Sequence, residues 1–233
     1  MFSMFSTARV HANRLTKGWV APPPREEDKK RNVLLVHAHP LKTSYSYALA
    51  KAAKEGLQAA GHEVNLLELY DVDGQGTVFK AALSASERAA YLTDDCKPAA
   101  DVQEMVQLLQ TVDALVFVYP TWWYNVPAVL KGFFDRTFLP GVAFKLPEDG
   151  TKGVLPGLGN INKIACVTTY GSPKSLVFLA GDNGRNMISR AILTLCDPLA
   201  TISWLGLHNM DTQTEDNLDS FLGDVREFFH HTF

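Results

Sequence analysis

Three stretches of this sequence carry residue types and spacings that could do chemistry. In the first, Pro120-Thr-Trp-Trp-Tyr-Asn125, three aromatics in a row stand between Pro120 and Pro127. Prolines restrict φ on both sides, so the loop is stiff and can hold backbone amides in fixed directions against a planar ligand. The plainer alternative is that Trp122, Trp123 and Tyr124 cover a sheet end or pack in a dimer interface. In the second stretch, His37-Ala-His-Pro-Leu-Lys-Thr-Ser-Tyr-Ser46, the hydroxyls of Thr43, Ser44 and Ser46 join Lys42 and the free amides of a helix start. Together they offer donors and positive potential to an anion, as a phosphate cradle would, with His39 as a donor to a phosphate oxygen. Serine and threonine in such a place also serve as ordinary helix caps. The third stretch is Thr168-Thr-Tyr-Gly-Ser172.

Other chemistries are disfavoured. His37 and His39 alternate on a strand and share a face, but no third ligand is in view, so no metal is expected. Neither GxGxxG nor GxxxxGK[ST] occurs, which speaks against a Rossmann dinucleotide site or a nucleotide triphosphatase.

The elements that must position these loops are readable from periodicity. An apolar run over 114–119 predicts a strand covered on both faces, followed by a helix over about 127–138. Further strands are expected at 33–38, 62–69, 163–169 and 200–207. Helices are expected from a Thr43 or Ser44 cap to Gly61, after Ser84 or Ser86, over about 98–110 and 183–195, and after a Thr214 cap. Residues 139–162 hold five glycines and three prolines; a segment that long is expected to fold over the site or over a partner. Five strands, each followed by a helix, predict a three-layer α/β sandwich with a parallel sheet of order 2-1-3-4-5. That order sets the ends of strands one, three and four side by side, and the three chemical loops with them.

Composition bounds the rest. The chain has 233 residues, 46% apolar and 20% charged, with a net charge of −3 and a pI near 6.2. This balance argues against a nucleic-acid partner, and no apolar run reaches the roughly 18 residues a membrane span needs. Cys96, Cys166 and Cys196 lack CxxC spacing and imply a reducing compartment, taken as the cytoplasm. Residues 1–20 contain Arg9, His11, Arg14 and Lys17, no acid, and apolar residues at helical spacing. They read as a mitochondrial presequence or as a disordered or partner-clasping arm. Residues 1–31 are therefore expected to be an extension and linker, and 32–233 the domain.

His39 with Thr43-Ser-Tyr-Ser46, the run Tyr119-Pro-Thr-Trp-Trp-Tyr-Asn-Val-Pro-Ala-Val-Leu-Lys-Gly-Phe-Phe-Asp-Arg136, and Thr168-Thr-Tyr-Gly171 together resemble a known family. It is that of the NAD(P)H:quinone reductases of the flavodoxin-like fold, the DT-diaphorase type and its bacterial relatives. The resemblance implies a flavin, FAD or alternatively FMN, in the crevice of a homodimer, with NAD(P)H as hydride donor and a quinone-like acceptor in ping-pong turnover. By the same resemblance His39, Ser44, Tyr45 and Ser46 would hold the flavin phosphates. Pro120, Thr121, Trp122, Trp123 and Tyr124 would line the ring, and Thr168, Thr169, Tyr170 and Gly171 would close its pyrimidine edge. The chain departs from the family after the third loop, where a Tyr and a His are replaced by Leu176 and Ala180. Tyr170 and Phe178 are the residues then expected to face the acceptor. Two other readings are an electron carrier, weakened by the modest net charge, and a regulatory flavoprotein with little turnover.

Overall fold

The computed structural model describes residues 30–70, 79–147 and 153–233. The expectations for residues 1–20 and for most of the linker lie outside them. The sheet has five parallel strands: β1 (Asn32–His37), β2 (Glu63–Glu68), β3 (Ala114–Pro120), β4 (Lys163–Thr169) and β5 (Thr201–Leu207). Their spatial order is β2-β1-β3-β4-β5, as the sequence implies.

Why both faces are apolar follows from the alternation of side chains along each strand. Leu34, Val36, Leu115, Phe117, Tyr119, Ile164 and Cys166 form one face. It is covered by α3 (Gln103–Thr111), α4 (Ala128–Thr137) and residues of the 183–195 segment. Val33, Leu35, Ala114, Val116, Val118, Ala165 and Val167 form the other, covered by α1 (Tyr45–Ala59) and α7 (Glu215–His231). Each large side chain so buried contributes about 1.5–3 kcal/mol.

Two caps fall on residues the sequence offered: Ser44, of the pair Thr43 and Ser44, caps α1, and Ser84 with Glu87 forms a capping box for α2 (Ala85–Ala90). A further helix, α5 (Lys174–Ala180), follows β4 and stops at Gly181 in the left-handed region, φ 95°. The single helix expected over 183–195 is instead a short α6 (Asn183–Asn186), a wider π turn over Met187–Ile192 and a 3-10 turn over Leu193–Leu195.

The described residues of the long segment after α4, 139–147 and 153–162, are tied to the end of the sheet opposite the loops at the carboxyl ends of the strands. Because α4 runs antiparallel to β3, Leu139 emerges at the opposite end of the sheet. There Asn162 N donates to Asp113 O (2.9 Å), and Asn160 Nδ2 donates to the carbonyls of Leu109 (2.9 Å) and Val112 (2.6 Å). Phe144–Lys145 and Leu155–Pro156 pair antiparallel within it. Among the described residues no helix is long and apolar enough to cross a membrane.

Candidate functional site

The sheet register brings the three loops together. His37 lies opposite Val118, Pro120 opposite Thr169, and Thr169 opposite Leu207, so the loops after β1, β3 and β4 leave the sheet as neighbours. Thr121 binds the third loop twice, through its N–H to Thr169 O (2.8 Å) and through its hydroxyl to Thr168 Oγ1 (3.0 Å).

The aromatic loop is a two-residue hairpin turn. Trp122 N donates to Asn125 O (3.0 Å) and Asn125 N to Trp122 O (3.1 Å), with Trp123 at φ 52° and Tyr124 at φ 58° between them. Both central residues are thus left-handed, a conformation that such turns normally give to Asn or Gly and that costs roughly 1–2 kcal/mol for a residue with a Cβ. Its surroundings hold it in place. Tyr124 Oη lies 3.1 Å from Ser172 Oγ, Asn183 N donates to Tyr124 O (3.1 Å), and Val126 N donates to Asn125 Oδ1 (2.8 Å). Trp123 is 94% exposed and Trp122 40%. Strain of this kind, held by neighbours and carrying large exposed aromatics, clusters at ligand clamps.

On the first loop the residues divide. His39 Nδ1 accepts from Leu41 N (3.0 Å), so its proton sits on Nε2, which is left as a donor; its ring lies 6.0 Å from that of Trp122. Burial lowers its pKa, so the ring is neutral at pH 7. Ser44 Oγ accepts from Tyr47 N (3.1 Å) as the helix cap, which leaves its O–H to donate. Tyr45 and Ser46 offer first-turn amides that lack intrahelical acceptors. Their side chains are engaged elsewhere. The Tyr45 hydroxyl donates to Leu218 O in α7 (2.7 Å), and burial raises its pKa to about 12. Ser46, 4% exposed, lies against His37 with Oγ 3.4 Å from Nε2.

Tyr170 and Phe178, the residues expected to face the acceptor, share one neighbourhood. The Tyr170 side chain turns inward: its hydroxyl donates to Asp182 Oδ1 (3.2 Å) and accepts from Trp204 Nε1 (3.1 Å), and its ring stacks on His208 at 4.4 Å. Burial, followed by the Asp182 charge, pushes its pKa well up. Both residues line a cavity of about 660 Å³ along the edge strand β5, bounded also by Arg185, Trp204 and Phe228. No residue of the first loop or of the aromatic loop lines it. The Tyr170 backbone is engaged as well, its N–H donating to Leu207 O (2.8 Å) and its carbonyl accepting from Met210 N (2.9 Å).

Sequence reasoning missed the left-handed Trp123-Tyr124 pair, because aromatic residues carry no turn signal. It also missed α5 and the contacts of Ser172, Asp182 and Asn183; Gly181 was the one helix-stop signal present. Among the described residues no group of three or more His, Cys, Asp or Glu is placed to hold a metal ion.

Residues 31–219 match the family described as having the flavodoxin-like fold. NAD(P)H dehydrogenase [quinone] 1 of Cavia porcellus is 31% identical over 164 residues, which cover 66% of this chain and 58% of that protein. The chain thus spans under two thirds of that relative's length. The NAD(P)H:quinone oxidoreductase of Methanothermobacter marburgensis superposes with a TM-score of 0.68 at 24% identity, over 87% of this chain and 96% of that one. An FMN-dependent NADH-azoreductase of Bacillus anthracis, solved with FMN, has a TM-score of 0.61 at 18% identity, covering 85% and 97%. The last two likenesses speak for the fold.

Proposed function

The chain belongs to the flavodoxin-like fold family, and from that membership we propose that it is a flavin-dependent oxidoreductase. It takes hydride from NAD(P)H and delivers it to a quinone or similar small acceptor, in ping-pong fashion. The observation that carries this reading is the strained aromatic turn at Trp123-Tyr124, held beside a loop whose donors suit a phosphate. The name of the Cavia porcellus relative supports the reaction class.

The donor set fits a flat ring with an anionic tail. His39 Nε2–H, the Ser44 hydroxyl and the amides of Tyr45 and Ser46 would hold the tail. Pro120 to Tyr124 would line the ring, and the backbone of Thr168 to Gly171 its edge. A bound flavin would supply hydride acceptance and release, which no side chain offers. The protein's part is to position both reactants and to stabilise charge with fixed amides, each worth roughly 3 kcal/mol in comparable sites. FAD is the cofactor of this reading and FMN the alternative, the latter supported by the FMN-bound azoreductase. A homodimer belongs to the same reading, supported by the exposed apolar side chains of Leu176, Phe178 and Leu179 on α5; sedimentation of the purified protein checks it.

A second reading, a sensor or carrier with little turnover, is favoured by one observation. Leu176 and Ala180 carry no proton to give, and the Tyr170 hydroxyl is buried and held by Asp182. Purified protein is expected to be yellow, to release FAD or FMN on denaturation, and to oxidise NADPH or NADH with a simple quinone at 1 per second or faster, the ordinary range being about 1 to 1000. Colourless protein that takes up neither flavin sinks both readings; flavin with a rate under about 0.1 per second leaves the sensor.

A further inference from the structure

His37 is the last residue of β1 and is 1% exposed. Its Nε2 lies 3.4 Å from the hydroxyl of Ser46, the second residue of α1, so the two side chains bridge the ends of the first loop from beneath. Its other nitrogen, Nδ1, faces Glu68 Oε1 at 3.9 Å. The sheet sets this second contact, because His37 and Glu68 are register partners on adjacent parallel strands. Both Nδ1 and Oε1 are buried without a hydrogen-bond partner.

Packing alone does not account for a histidine here. A buried polar atom left unpaired costs about 1–3 kcal/mol, and a leucine would fill the same space without that cost. Burial and the neighbouring His39 lower the pKa of His37 to about 4, so the ring is neutral near pH 7. With the Glu68 carboxylate beside Nδ1, the favoured tautomer carries its proton there, which makes Nε2 the acceptor for the Ser46 O–H.

We propose that His37 is a positioning residue for the anionic tail of the ligand: by holding Ser46 it sets the direction of the first-turn amides of α1, while Glu68 selects its tautomer. The inference rests on the flavin reading above and deepens it. Ser46 acts on the tail through its backbone N–H, and its hydroxyl is the handle by which His37 grips the turn. The effect is therefore confined to the phosphate. The isoalloxazine, at the other two loops, is untouched by it.

The test compares FMN with riboflavin, which has the same ring and no phosphate, by fluorescence titration of the flavin-free full-length chain. The unaltered protein is expected to prefer FMN. In His37→Leu, FMN affinity should fall about fivefold to tenfold, with riboflavin affinity unchanged and the flavin-free melting temperature not lowered. His37→Gln, whose amide oxygen reaches the place of Nε2, should recover most of the loss. Ser46→Ala should lose as much as His37→Leu, the double variant should lose no more than either, and Ser46→Ala carries the test if the leucine variant fails to fold. An unchanged FMN-to-riboflavin ratio in the variants, beside a normal preference in the unaltered chain, overturns the role of His37 alone. So does an equal loss of both ligands with a lowered melting temperature, which is what a plain packing role predicts. An unaltered protein that binds neither ligand overturns the flavin reading, and this inference with it.

Discussion

Trp123 concentrates two opposed demands in one residue. Its backbone at φ 52° favours glycine, and its side chain, 94% exposed, contributes little to the core. Stability would be better served without it. Trp123→Gly is expected to make the flavin-free protein about 1 kcal/mol more stable, since relief of the left-handed strain exceeds the added chain entropy. If Trp123 lines the ring as in the proposed function, the same change should alter the flavin absorbance and lower turnover, because the indole would be lost from the face of the ring. Thermal melts beside steady-state rates check the pair, and a lower melting temperature would show that the turn is not strained. Tyr124 shares the conformation, but its hydroxyl contact with Ser172 gives it a structural tie that Trp123 lacks.

At the level of elements, α1 and α7 show how close approach overrides propensity. A Cβ on Gly56 of α1 would stand 2.4 Å from Arg226 O and 2.9 Å from Phe229 Cβ, whereas one on Gly223 of α7 meets nothing within 4 Å. Helix propensity alone favours alanine over glycine at both positions by about 1 kcal/mol. Urea unfolding should therefore find Gly223→Ala stabilised by roughly that amount and Gly56→Ala destabilised by about 1–3 kcal/mol, as overpacking requires. Were Gly56→Ala to gain stability, the two helices would have to be further apart than described. The contact matters for the site because α7 also receives the Tyr45 hydroxyl at Leu218, so the crossing helps set the start of α1.

Across the whole molecule, Arg136 ties the crossing between β2 and β3 to α4. It is 3% exposed; its Nη1 and Nη2 bind Asp101 at 2.6 and 2.7 Å, its Nε binds Glu87 at 2.8 Å, and Nη1 also donates to Lys80 O at 2.6 Å. The hydrogen bonds from Arg136 hold Asp101 down at about 2. A carboxyl whose pKa is depressed on folding stabilises above its unfolded value and loses that contribution as pH falls through the folded one. Stability should thus drop by about 1–2 kcal/mol between roughly pH 4 and pH 2, after allowance for solvent screening. Arg136→Met should cost about 3–5 kcal/mol at pH 7, because two carboxylates are left uncompensated. Urea midpoints measured against pH check both, and a midpoint that is flat from pH 4 to 2 would remove Asp101 from the account. How much of this was legible beforehand depends on the range of the forces involved. Strand runs, caps and the order 2-1-3-4-5 followed from the sequence by itself, since apolar periodicity and chain connectivity are local or nearly so. That order also determined which three loops meet. Which atoms those loops present was decided only by the tertiary structure: the Tyr45 and Ser46 hydroxyls are turned away, the Tyr170 side chain is buried, and Trp123 and Tyr124 are forced left-handed. Apart from the Ser46 contact with His37, nine residues away, these outcomes are imposed by partners such as Leu218, Asp182, Trp204 and Asn183, and no local propensity encodes a contact whose other half lies elsewhere in the fold.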